Sequence, residues 1–144
     1  MSKRKLIMQA AIAGGLLLGI AGVGVGCVHV WQSAHQARLD EAYVMLLPAP
    51  TLAVTHRHYE VRGAFTDTVE RFRFEGGTPT LVQAIAERHG LQPAEQPLES
   101  KFSAPGWWVL PQMPTYYLRG TGHEYMLLIF DPASGQVLVE RTQD

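Results

Sequence analysis

The chain carries one cysteine, Cys27, and none after it. An intramolecular disulfide is therefore excluded. Stability has to come from an ordinary apolar core, although a domain free of thiols tolerates an oxidising compartment. Neither sign of charge is in excess, with 12 basic and 13 acidic residues. The charges are unevenly placed. Lys3, Arg4 and Lys5 precede a long apolar run, and the other nine basic and all thirteen acidic residues follow it, so the C-terminal part carries 9 − 13 = −4. A domain of that balance is a poor candidate for nucleic-acid binding, which needs a basic face. Also missing are a G-x-S-x-G elbow, a P-loop and an H-E-x-x-H pair, so no enzyme class is indicated and no cofactor is expected. No internal repeat is present.

What the sequence does have is the run itself. From Leu6 to Val30 only Gln9 and His29 are clearly polar. As a helix this stretch spans roughly 37 Å at about 1.5 Å per residue, against about 30 Å of hydrocarbon. Trp31 follows, where an indole suits a membrane interface. A cleaved secretory signal has an apolar region of only about 7–15 residues. The reading is a signal anchor over residues 6–31, with residues 1–5 as a cytoplasmic basic tail and the rest of the chain beyond the membrane by the positive-inside rule. The rival is a lipoprotein anchored at Cys27. Gly26 suits a lipoprotein signal, but Gly24 replaces the branched aliphatic residue such signals want, and Val28, His29 and Val30 continue the apolar run where a polar tether is usual. Gly15, Gly19, Gly22 and Gly26 fall on one face of the helix at spacings of four, three and four. Such a seam allows close helix–helix contact, with a partner or with a second copy.

Beyond the span, residues 32–47 read as a helical stalk stopped by Pro48. Residues 48–144 read as one extracytoplasmic α+β domain, a mainly antiparallel sheet of four or five strands with one packed helix. "LAVTHRHYEVRGAF" has strand composition, with Gly63 a candidate bulge. In "VERFRFEGG" Phe72 and Phe74 alternate with Arg71, Arg73 and Glu75, as in a strand with one face in water. Thr78 and Pro79 open a helix whose apolar stripe is Leu81, Val82, Ile85 and His89, and Gly90 closes it. Residues 92–114 hold five prolines and a tryptophan pair; two indoles argue for an ordered loop. "YMLLIF" suits a central strand covered on both faces. "DPASG" suits a hairpin connection to a last strand, "QVLVERT".

Three groups are candidates for function. His56, His58 and Glu60 would share one face of a regular strand, with donor types that suit zinc, against the plainer reading of a solvated edge. His123 and Glu124 could form an acid–base pair or belong to an ordinary hairpin. Trp107, Trp108, Tyr116 and Tyr117 are the densest aromatic group. They suit a partner surface or, for the two indoles, a plug over the open face of the sheet with one ring buried and the other partly exposed. His89 reads as a core-edge histidine bonded locally.

The layout leads to an expected function. It is a single-pass inner-membrane protein whose outer domain is a non-enzymatic interaction module, an envelope-complex subunit or an inhibitor or immunity-type protein, partnered by another envelope protein or by itself through the glycine seam. The alternatives are a metal- or small-ligand-binding module on the His56/His58/Glu60 face, and a hydrolase. The anchor reading is checked by intact mass: protein extracted from membranes should retain residues 1–26, and a diacylglyceryl group on Cys27 would overturn it.

Overall fold

The computed structural model describes residues 31–49, 54–64, 67–100 and 102–143. The apolar run, Cys27 and the glycines Gly15, Gly19, Gly22 and Gly26 lie outside the described residues. Among those described, no helix is long and apolar enough to cross a membrane. The chain divides into two compact units, one ending at Asp40 and one running from Glu41 to Asp144. A helix over residues 31–46 (α1) contains that boundary. In its first part Trp31 stacks on His35, with centroids 5.6 Å apart, and Gln36 donates to Asp40 at 3.1 Å, both pairs one helical turn apart.

The second unit is α+β. Six antiparallel strands, β1 (Thr55–Ala64), β2 (Asp67–Glu75), β3 (Gln92–Ala94), β4 (Thr115–Thr121), β5 (Glu124–Asp131) and β6 (Gln136–Gln143), form one sheet in the order β1-β2-β6-β5-β4-β3. A hairpin, β1–β2, and a meander, β3–β6, are joined where β6 returns to pair with β2. Among the described residues the expectation of four or five strands is corrected to six, while the two helices are the expected stalk helix and the expected packed helix. The strand that sequence reading missed is β3. Its three residues are too short to show alternation, and they include Pro93, which is tolerated because β3 lies at the sheet edge.

The register sorts the side chains into two faces. Phe72, Phe74, Leu128, Phe130, Val137 and Val139 lie on one, and all are buried. Both helices serve this face. The last turn of α1 brings Tyr43 edge-on to Phe72 and Phe74 at 5.6 and 5.9 Å. The helix α2 (Pro79–His89) buries Leu81, Val82 and Ile85 of the stripe read from the sequence, together with Ala86, whereas His89 is half-buried. Its ends follow local rules. Thr78 Oγ1 accepts from the Leu81 amide at 3.2 Å, Pro79 occupies the first turn, and Gly90 caps the C-terminus at φ 67°. Gly77, just before the cap, passes so close to β6 that a Cβ there would lie 2.4 Å from Val137 Cγ2.

Two details depart from the sequence reading. The bulge in β1 falls between Thr55 and His58, with His56 at φ 50°, whereas Gly63 pairs in register with Thr68. Gly63 is required for another reason: at φ 154° its Cβ would lie 2.2 Å from the Asp67 carbonyl oxygen. Beside the bulge, the Tyr43 hydroxyl reaches the carbonyls of Arg73 (2.6 Å) and His58 (3.0 Å), and burial raises its phenol pKa. His89, expected to bond locally, instead places Nε2 2.9 Å from the Leu46 carbonyl, while Arg88 donates to Leu47 O. The ends of the two helices are thus tied together.

Burial, the largest influence, lowers the His89 pKa below 6.5. As pH falls the unfolded chain therefore takes up this proton first. The stability that neutral His89 contributes is complete above about 6.5 and is lost below it, toward the lower folded value. Urea midpoints followed from about pH 7.5 to about pH 5.5 should fall further for the wild type than for His89→Gln, which keeps a donor for Leu46. Equal falls would show that His89 does not set the slope.

Candidate functional site

The other face of the sheet carries Val69, Arg71 and Arg73 of β2, Tyr125, Leu127 and Ile129 of β5, and Leu138, Glu140 and Thr142 of β6. It is not the solvated face that the alternation in "VERFRFEGG" suggested. Arg71 and Glu140, opposite each other in the β2–β6 register, are each only 1% exposed. The cause is the proline-rich connection described over residues 95–100 and 102–114, which lies over this face: Leu98 and Trp108 pack on the apolar cluster of Tyr125, Leu127, Ile129 and Leu138.

Arg71 holds the arrangement together. Its Nε donates to Glu140 at 2.6 Å, its Nη1 to the Ser103 carbonyl at 2.8 Å, and its Nη2 to Ser100 Oγ at 2.9 Å and the Phe102 carbonyl at 3.0 Å. The Trp108 ring lies 5.5 Å from the guanidinium, within cation–π range. The Tyr125 hydroxyl donates to the second oxygen of Glu140, and burial, aided by that carboxylate, pushes its pKa up to about 12. A rigid guanidinium fork with five donors thus neutralises a buried carboxylate and supplies partners for a loop that has no strand to bond.

Other side chains fasten the rest of the segment. Arg73 donates to the Trp107 carbonyl at 2.8 Å, Gln136 to the Val109 carbonyl at 3.0 Å, and Arg62 to Ser103 Oγ at 3.2 Å. A turn closes from the Trp108 amide to the Pro105 carbonyl at 2.9 Å. Pinned on both sides, the segment turns Val109, Leu110 and Met113 outward, 59%, 53% and 85% exposed.

The residues singled out from the sequence are distributed as follows. Trp107 and Trp108 meet at 6.0 Å with planes 64° apart, and both are half-buried, so the expected division into one buried and one exposed ring is corrected. Each indole has its own support, Trp108 on Arg71 and the core, Trp107 stacked on His58 at 5.4 Å. Tyr116 and Tyr117 do not join them as one surface. Neighbours on a strand point to opposite faces: Tyr116 packs with the cluster under Trp108, and Tyr117 lines a cavity on the other side. That cavity, about 190 Å³ between the end of α2 and β3, is small beside the roughly 300–1,000 Å³ of ordinary ligand sites.

His56, His58 and Glu60 are engaged separately. His56 Nδ1 lies 3.0 Å from Glu75, His58 stacks on Trp107, and Glu60 accepts from Arg62 at 2.6 Å. The β1 bulge interrupts the regular alternation between His56 and His58, while His58 and Glu60 keep it. Burial, followed by the nearby Arg73 charge, lowers the His58 pKa. Among the described residues no group of three or more His, Cys, Asp or Glu side chains could hold a metal ion. His123 and Glu124 sit at the β4–β5 hairpin, both exposed.

The residues that sequence reading missed are Arg71 with Glu140, and the Val109–Met113 display. One signal was present: Glu140 directly follows "VLV", an unalternated run that implies cover on both faces and hence a buried carboxylate needing a cation. No family model, curated protein or solved structure matches the chain.

Arg71→Met should cost about 3–5 kcal/mol, because it strands a buried Glu140. Arg71→Met/Glu140→Leu should recover part of this loss, the remainder reflecting the bonds to Ser100, Phe102 and Ser103. Urea melts measure both, and a double variant no more stable than the single would show that the stranded carboxylate is not the main cost.

Proposed function

We propose that the protein is a single-pass, membrane-anchored envelope protein whose C-terminal domain is a non-enzymatic protein-interaction module, acting as a subunit of an envelope complex or as an inhibitor or immunity-type protein. Residues 6–31 anchor it in the inner membrane, with residues 1–5 cytoplasmic and the α+β domain outside. The length of the apolar run and the basic tail before it support the anchor and its orientation.

The observation that carries the interaction reading is the outward display of Val109, Leu110 and Met113 on a segment pinned by Arg73 and Gln136. Exposed large apolar side chains grouped on a fixed backbone suit a protein partner. They offer apolar area to bury, and the loop has little conformational entropy left to lose on binding. The two indoles contribute indirectly, by supporting the loop from beneath.

A photo-crosslinking residue at Met113 of the full-length protein, activated in the producing cell, tests this. A discrete protein adduct is expected there, absent from the same probe at Gln83 on α2 and diminished by Leu110→Asp. No adduct, or adducts with lipid alone, would overturn the protein-partner reading.

A further inference from the structure

The two edges of the sheet are built differently. At one edge β3 has three residues and a proline, which leaves little backbone for another strand. At the other, β1 has ten residues, and among the described elements it pairs only with β2. The parity of its free groups follows from the hairpin. Ala64 and Asp67 are opposite each other across a two-residue connection, which makes them a hydrogen-bonded pair. Ala64, Arg62 and Glu60 therefore aim their amides and carbonyls at β2. Gly63, Val61 and Tyr59 aim theirs outward. The position of the Tyr43 hydroxyl agrees: it reaches the carbonyls of His58 and Arg73, one on each strand of this pair.

We propose that the outer edge of β1 pairs antiparallel with β1 of a second copy of this chain about a two-fold axis at Val61, joining two six-stranded sheets into one. The charges select the register. With Val61 opposite Val61 of the second copy, every outward amide and carbonyl from Tyr59 to Gly63 meets a partner, Glu60 is opposite Arg62 and Arg62 opposite Glu60, and Tyr59 is opposite Gly63, where the missing side chain leaves room for a ring. The neighbouring symmetric register, centred on Glu60, sets two carboxylates against each other. The side chains are in reach of such a contact: Val61 is 50% exposed, and Arg62 and Glu60 retain 45% and 22% exposure at their side chains. The bulge at His56 limits the pairing at one end, so the contact centres on Tyr59–Gly63. It buries less than the roughly 1,200 Å² of a stable interface. The association is accordingly weak and concentration-dependent, and covalent trapping reads it better than sizing. The inference does not rest on the Val109–Met113 reading, since it uses the backbone edge of β1 and a different partner.

The test uses the full-length chain with Cys27→Ser. In a hydrogen-bonded antiparallel pair the Cα atoms lie about 5.5 Å apart, inside the range that a disulfide spans. Val61→Cys should therefore give a disulfide-linked dimer under mild oxidation. Gln83→Cys, exposed on α2, should not. Adding Arg62→Glu to Val61→Cys places like charges opposite each other twice and should cut the dimer by about fivefold or more. Urea melts verify that each variant is folded. No dimer at position 61, equal dimer at positions 61 and 83, or a yield unmoved by Arg62→Glu would each overturn the proposal.

Discussion

The ion pair between Arg71 and Glu140 is the interaction on which one whole side of this domain depends. Both charges are withdrawn from water in mid-sheet, on adjacent strands. Such a pair contributes little net stability against a well-packed apolar replacement, since desolvation offsets most of the Coulombic attraction. Its effect is on arrangement. Having given one N–H to Glu140, the guanidinium has donors left, and these are taken by Ser100, Phe102 and Ser103. A proline-rich segment with few amides to bond among themselves is thereby given a path over the sheet. The position of Trp108 follows from the same group, between the cation and the apolar cluster of β5 and β6.

The two faces of the sheet are accordingly covered by different means. On one, α2, with conventional caps and an apolar stripe, and the last turn of α1 bury aromatic and branched side chains. On the other, an irregular segment is held by side chains reaching up from the strands: Arg71 and Arg73 from β2, Gln136 from β6 and Arg62 from β1. This second cover shapes the exposed surface. A segment fastened at Trp107 and Val109 has its next residues turned outward, which is how Val109, Leu110 and Met113 come to form the apolar display on which the proposed function rests.

The elements most legible in the sequence are those whose signals are local. Thr78, Pro79 and Gly90 bound α2 because capping is decided within one turn of backbone. The unbroken apolar run of Tyr125–Phe130 marked a strand covered on both sides, and every one of its residues is buried. Less legible were β3, with only three residues and a proline, and the β1 bulge, which depends on how β1 meets β2. The alternation in β2 identified a strand correctly and its environment wrongly. Periodicity reports which side chains share a face and says nothing of what will cover that face.

The sequence by itself determined the basic tail and apolar run at the N-terminus, the α+β class, the helix caps and most strands, because each follows from hydrophobicity or backbone preference over a few neighbouring residues. Only the tertiary structure decided that Arg71 finds Glu140, 69 positions further along the chain. It likewise decided that two tryptophans become supports, that Tyr116 and Tyr117 part to opposite faces, and that Val109, Leu110 and Met113 turn outward. These outcomes depend on strand order and on the path of one long connection. Both are set by contacts between residues far apart in sequence, and no local pattern encodes such contacts.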